Sequence, residues 1–175
     1  MGQRTDGRSG AIRSAFVLTI CDGVHAGIRD DESGRALLAR LTALGFAVQS
    51  AAVGDEVQDI TAAVGEAVLT HELVLTTGGT GLGPRDRTPQ AVGQLLDYEV
   101  PGFGEQMRAH GRRSTPFADL SRSLAGVCGR SLVICVPGSP RAALESLEAL
   151  EPLLEHALAT LGGDTQRHPP PDRRG

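Results

Sequence analysis

The 175-residue sequence contains no lysine, so all 17 of its basic Lys+Arg positions are arginine. That absence excludes Schiff-base chemistry, a lysine nucleophile and the phosphate-binding lysine of a P-loop. Any phosphate the chain binds must be met by arginine, main-chain N–H groups or a metal ion. Tryptophan is also absent, aromatic residues make up 3% of the chain, and the net charge is −4. Nucleic acid would find neither a basic field nor many rings to stack on. The three cysteines, Cys21, Cys128 and Cys135, are odd in number and lack CxxC or Cys/His ligand spacing. Reduced, buried thiols are the expected state. No apolar run approaches the roughly 18 residues of a membrane span. The polar start "MGQRTDGRSGAIRS" does not read as a secretory signal, and Asp6 stands where a myristoylation site needs Ser or Thr. The expected location is the cytoplasm, without nucleic-acid or membrane partners.

What is present reads as one globular domain, 40% hydrophobic and 22% charged. Residues 1–13 and the Pro/Arg-rich tail 163–175 lack periodic apolar positions and are expected to be mobile, leaving 14–162 as the domain. Within it, strand-like runs at 15–22, 46–53, 73–77 and 131–136 alternate with amphipathic segments. Leu37, Leu38, Leu41 and Leu44 share one helical face, and Gly45 follows as a stop signal. Val57, Ile60, Val64 and Val68 keep helical spacing behind Asp55, which with Gln58 suggests a capping box. Thr88 suggests an N-cap with Pro89 in the first turn, and Ser139-Pro140 opens a long helix that Pro152 is expected to kink or restart. "PGFGEQMRAHG" and "TPFADLSRSLAG" suggest shorter helical or irregular pieces. Alternating strands and helices predict an α/β fold, a three-layer αβα arrangement around a mainly parallel sheet. Right-handed crossovers then place every strand's C-terminal end, where ligands bind in such folds, along one edge.

Four loops fall just past strands: Cys21-Asp22-Gly23, Gly54-Asp55-Glu56, Gly78 to Asp86, and Pro137-Gly138-Ser139-Pro140. The glycines at 78, 79, 81 and 83 offer positive φ and a bare backbone that can cradle an anion. A dinucleotide fingerprint is absent, because Pro84 occupies the third glycine position. Asp86 lies between Arg85 and Arg87. A carboxylate beside a phosphate cradle calls for an intervening cation, and Mg²⁺ accepts one or two carboxylates plus phosphate oxygens. Ser121 has no His or Asp partner nearby for a triad, and His25, His71, His110, His156 and His168 form no ligand set.

With these residues in view, the sequence resembles the MoaB/Mog family of molybdenum-cofactor biosynthesis proteins. "TTGGTGLGPRDRTPQA" is similar to that family's TTGGTG…RD-x-TPEA signature, "SRSLAGVCGRSLVICVPGSP" to its SR-x-x-AG…PGSP block, and "CDGVHAGIRDDESG" to its opening SD…DxSG turn. The resemblance runs in order from about residue 16 to 160. It implies an Mg²⁺-dependent transfer of AMP from ATP to the terminal phosphate of molybdopterin with release of pyrophosphate, or, alternatively, a carrier that binds molybdopterin without chemistry. It implies Asp55 and Asp86 as the catalytic and metal-holding carboxylates. Asp22, Gly78, Gly79, Thr80, Gly81, Arg85, Ser121, Arg122, Pro137, Gly138, Ser139 and Pro140 would contact pterin and phosphates. It also implies a homotrimer or a pair of trimers. The sequence departs from the pattern at Cys21 (usually serine), Gly54 (proline or similar), Arg87 (apolar), Gln90 (glutamate) and Cys135 (often asparagine).

Overall fold

The computed structural model describes residues 12–163; all but the first residue of the expected mobile tail and all but the last two residues of the expected mobile N-terminal segment lie outside that range. Arg13, at the end of that segment, forms an ion pair of 2.9 Å with Glu72. The chain runs through strand β1 (Ser14–Ile20), a single turn α1 (Asp22–His25), helix α2 (Glu32–Ala43), strand β2 (Ala47–Val53), helix α3 (Val57–Ala67), strand β3 (Leu73–Thr77) and helix α4 (Thr88–Gly93). There follow strand β4 (Tyr98–Glu99), helix α5 (Pro101–Gly111), a 3₁₀ turn (Pro116–Leu120), strand β5 (Leu124–Cys128), strand β6 (Ser131–Val136) and helix α6 (Pro140–Leu161).

The six strands form one sheet in the order β2-β1-β3-β6-β5-β4. The first four are parallel, with Thr19 opposite Thr77 and Thr77 opposite Val136; β5 and β4 add antiparallel pairs at the far side. The parallel strands therefore end level with one another. β3 and β6 are buried at every position, as the centre of a sheet covered on both faces must be. Their side chains alternate between two cores. Leu73, Leu75, Leu132 and Ile134 pack with Leu37, Leu41, Leu147 and Leu150 of α2 and α6, while Val74 and Val133 pack with Ile60, Val64 and Val92 of α3 and α4. Arg40 and Glu151 add a two-pronged ion pair, 2.6 and 2.7 Å, between α2 and α6.

The expected αβα architecture is present, and four local expectations are corrected. Asp55 does not cap α3: Glu56 holds the N-cap position with no side-chain bond. Arg87, not Thr88, is the N-cap residue of α4, so Thr88 and Pro89 are its first two helical residues. Pro152 does not restart the helix: α6 is continuous from Pro140 to Leu161, because the buried stripe Leu147, Leu150, Leu154 and Leu158 continues across it and outweighs the roughly 3 kcal/mol a helix-interior proline costs. The segment "TPFADLSRSLAG", read as a short helical or irregular piece, does contain the 3₁₀ turn but ends in strand β5, whose small Ala125 and Gly126 hide strand character from a propensity reading. Gly45 does end α2, in the left-handed region at φ 92°.

Two outcomes are expected. Gly65 sits inside α3, and a Cβ built there meets nothing within 4 Å. Gly65→Ala should raise stability by about 0.5–1 kcal/mol, a rise of roughly 2–4 °C in Tm by calorimetry; a lower Tm would show a contact the packing does not contain. Cys135 is fully buried, and burial pushes its thiol up to about 12. It should resist iodoacetamide at pH 8 in native protein and react once urea unfolds the chain, as read by mass spectrometry.

Candidate active site

All four candidate loops leave the same sheet edge, because β1, β2, β3 and β6 are parallel and end in register. What holds the loops together is close backbone contact. Gly78 is left-handed at φ 105°, and a Cβ there would collide with the main-chain oxygen of Ile20. Gly79, at φ 64°, leaves room for the Thr88 hydroxyl. That buried hydroxyl donates to the Gly78 carbonyl at 2.8 Å, and the Thr88 N–H donates to the Gly79 carbonyl at 3.1 Å. Helix α4 is thereby tied to the loop it follows. On the other side, Gly138 approaches so closely that its Cβ would lie 3.1 Å from the Gly78 Cα. The Thr77 hydroxyl donates to the Pro137 carbonyl at 2.8 Å and locks the two strand ends.

Gly81 and Gly83 serve a different purpose from the one read off the sequence. Neither adopts positive φ; a Cβ at either would sit 2.8 Å from the Asp86 Oδ2. They make room for a carboxylate. Asp86 Oδ2 accepts the Gly83 N–H at 2.8 Å, and Asp86 lines a crevice with Gly79, Thr80, Gly81, Ser121, Pro137 and Gly138. Thr80 is 4% exposed, and what it exposes faces this crevice.

Next to Asp86, the Arg85 guanidinium bonds Asp22 and lies 3.4 Å from Asp55. Asp22 Oδ1 also accepts the Asp55 N–H at 2.9 Å, which with Arg85 holds the Asp22 carboxyl below the usual carboxylate range. Gly54 is bare for a reason: a Cβ there would lie 2.9 Å from Asp22 Oδ1. Asp55 moves the other way. Partial burial raises its pKa, Asp22 and more weakly Asp86 add to the rise, and Arg85 opposes it. Two carboxylates, Asp22 and Asp55, thus share one guanidinium, and Asp86 adds a third negative charge nearby. Among the described residues no three His, Cys, Asp or Glu side chains converge to hold a metal by themselves.

The Gly78–Gly138 contact divides the edge into two lobes. One is the crevice of about 470 Å³ with Asp86 and Thr80, walled by the apolar Leu82, Phe117 and Leu120. Behind it a smaller apolar cavity shares Phe117, Ser121 and Pro137. The other lobe, about 700 Å³, runs from Gly78 and Ser139-Pro140 to Arg29 and Ser33 at the start of α2. Sequence reading singled out neither Phe117 nor the rim from Arg29 to Ser33. The second had a visible signal in "DESG": Asp31 caps α2 by accepting the Gly34 N–H at 2.8 Å and also accepts the Thr19 hydroxyl at 2.8 Å. Ser121 lines the first lobe, its hydroxyl 2.8 Å from that of Ser123. Arg122, expected at the ligand, directs its guanidinium to loop carbonyls. At the departures from the family pattern, Cys21 leaves α1 without a side-chain cap, and Arg87 folds back onto the Pro84 carbonyl at 3.2 Å.

The family model described as "probable molybdopterin binding domain" matches residues 16–156. A molybdenum cofactor biosynthesis bifunctional protein of Synechococcus elongatus is 43% identical over 159 residues, covering 89% of this chain and 50% of that protein. The chain thus spans about half the length of the first curated relatives it matches. The molybdopterin adenylyltransferase of Escherichia coli K12 is 36% identical, over 77% of this chain and 72% of its own. The crystal structure of the molybdopterin biosynthesis enzyme MoaB from Thermus thermophilus superposes with a TM-score of 0.78 at 44% identity, covering 87% of this chain and 98% of that one. By motif, by fold and by the matched span, the chain belongs to the MoaB/Mog family of molybdenum-cofactor biosynthesis proteins, those built on the molybdopterin-binding domain.

Proposed function

We propose that the chain transfers AMP from ATP to the terminal phosphate of molybdopterin and releases pyrophosphate. The observation that carries this reading is the two-lobed edge with a carboxylate–guanidinium cluster beside the partition. Two large substrates must meet end to end at one phosphorus atom, and two crevices on either side of a bare backbone contact suit that need. The apolar wall at Phe117 and Leu120 suits a flat ring system, and the loop's main-chain N–H groups suit phosphate oxygens.

The attacking group is a phosphate monoester, already anionic at neutral pH, so no general base is required. Positioning and charge neutralisation at the α-phosphate are the chain's tasks. Arg85 is available to both, being more than half exposed and able to reach two carboxylates or a phosphate. The residues also fit Mg²⁺. Asp22, Asp55 and Asp86 outnumber the one guanidinium among them, so a negative surplus faces the place where a triphosphate would lie. Asp55 and Asp86 would hold the ion, with phosphate oxygens and water completing its shell. Bound there, it would neutralise charge on the transferring phosphoryl group. The reading further includes a homo-oligomer, a trimer or pair of trimers, working in the cytoplasm; no described helix is long and apolar enough to cross a membrane.

Purified protein given molybdopterin, ATP and Mg²⁺ should release pyrophosphate. Tight molybdopterin binding indifferent to ATP, with no release, would assign it instead as a carrier. Asp86→Ala should lower kcat by about 10²-fold or more while costing roughly 1 kcal/mol of stability for the lost Gly83 bond; undiminished turnover would remove Asp86 from the centre. Asp55 carries the opposite signature. Because the fold disfavours its ionised form, the penalty is fully present above its raised pKa and disappears below the ordinary value of 3.8. Asp55→Asn should therefore raise Tm at pH 7, lose that gain as the pH falls towards 3.8, and abolish turnover. A Tm lowered at pH 7 would show that the carboxylate stabilises the free protein.

A further inference from the structure

Arg122 lies two residues past the 3₁₀ turn and two before β5, next to Ser121 of the first lobe and in contact with the loop that carries Asp86. Three of its four nitrogens donate to one loop. The main-chain N–H donates to the Thr80 carbonyl at 2.9 Å, Nε donates to the Gly81 carbonyl at 2.8 Å, and Nη2 donates to the Asp86 carbonyl. Among the described residues no carboxylate lies within ion-pair distance of this half-buried guanidinium. A cation in that setting ordinarily pairs with an anion, whereas here it is satisfied by peptide oxygens.

The consequence follows from peptide geometry. In a trans peptide the C=O and the next N–H point in opposite directions. Drawing the Gly81 oxygen towards Arg122 turns the Leu82 N–H away from it, and drawing the Asp86 oxygen does the same to the Arg87 N–H. The planar fork also holds the Gly81 and Asp86 carbonyls a fixed distance apart, which encloses the turn from 82 to 85. Residues 82–85 of that turn are exposed, and its local bonds are the Gly83 N–H to Asp86 Oδ2 at 2.8 Å, the Asp86 N–H to the Gly83 carbonyl at 3.1 Å and Arg87 Nε to the Pro84 carbonyl at 3.2 Å. The exposed Arg85 side chain reaches Asp22 and Asp55 beyond the ends of β1 and β2, while Arg122 is the group that grips the main chain on either side of the turn. Thr88 anchors the loop at its far end, and Arg122 anchors its middle to the antiparallel half of the sheet.

We propose that Arg122 is a positioning residue for the transfer reaction, a clamp on the carbonyls of Gly81 and Asp86 that sets where the Asp86 carboxylate stands, and not a contact to the pterin or phosphates. The proposal rests on the adenylyl-transfer reading for its kinetic half only; the clamp itself is tested without turnover. A lysine in its place keeps the charge but, as a point donor, cannot span both carbonyls.

The experiment compares wild type, Arg122→Lys and Arg122→Ala by residue-resolved amide exchange in the substrate-free protein and by steady-state kinetics with molybdopterin, ATP and Mg²⁺. The reporter amides are Gly83, Asp86 and Thr88, bonded within the loop, with Val133 and Ile134 of β6 as the internal control. Both variants should exchange at Gly83 and Asp86 at least about tenfold faster, with β6 unchanged. In both, kcat should fall about 10²-fold while KM for molybdopterin stays within about threefold, since a misplaced catalytic group damages the transition state more than the ground state. Millimolar methylguanidinium should slow loop exchange again in Arg122→Ala and recover part of kcat. Unchanged exchange at the reporters in Arg122→Lys overturns the clamp. So does a KM that rises at least tenfold with kcat intact, which would place the guanidinium on the substrate. If wild type itself does not turn over, the proposed reaction fails while the exchange result still decides the clamp.

Discussion

The architecture of the site depends on one steric constraint: the backbone at Gly78 must pass between the end of β1 and the turn after β6 with no side chain in the way. A Cβ at Gly78 would strike the Ile20 oxygen, and one at Gly138 would press on the Gly78 Cα at 3.1 Å. Because both are bare, three strand ends close to van der Waals contact, and the loops they emit must fan out to either side. The two lobes are a product of that closure. So is the proximity of Asp22, Asp55 and Arg85, which reach one another from the ends of β1, β2 and the loop after β3.

Room made for carboxylates is the second theme. Gly54 clears space for Asp22, Gly81 and Gly83 for Asp86, and Gly34 for Asp31. Glycine in such loops costs conformational entropy on folding, so its use beside acidic side chains marks places where a carboxylate must approach main chain closely. The electrostatic side is unequal. Asp22 is stabilised by the Asp55 N–H and Arg85, whereas burial and neighbouring charge work against ionised Asp55. A free protein that carries an unfavourable carboxylate at the sheet edge, beside Asp22 and Arg85, fits a site whose charge balance is completed by something it binds.

Much of the fold was legible in the chain, for identifiable reasons. The apolar runs of β1, β3 and β6 and the leucine stripes of α2 and α6 carry strong periods, and the crossover rule converts them into one edge bearing every candidate loop. β5 was missed because its residues are small and its burial comes from neighbours. The capping of α3 was misread because Asp55 looks like a cap locally, while its N–H is committed to Asp22, 33 positions away in sequence. Pro152 misled in the same way, its local penalty being outweighed by a distant core.

By itself the sequence determined what chemistry was open: without lysine, phosphate must be handled by arginine, amides or metal, and the glycine–aspartate loop with its two companion blocks already carried the family resemblance. Tertiary structure alone decided which partners those residues meet. It set Arg85 between two carboxylates, joined Arg122 to the carbonyls of Gly81 and Asp86, gave Gly81 and Gly83 to Asp86, and opened a second lobe at the start of α2. The reason is physical: residue type limits what a side chain can donate, accept or neutralise, but which partner it meets depends on long-range packing that brings segments 30 or more positions apart within 3 Å.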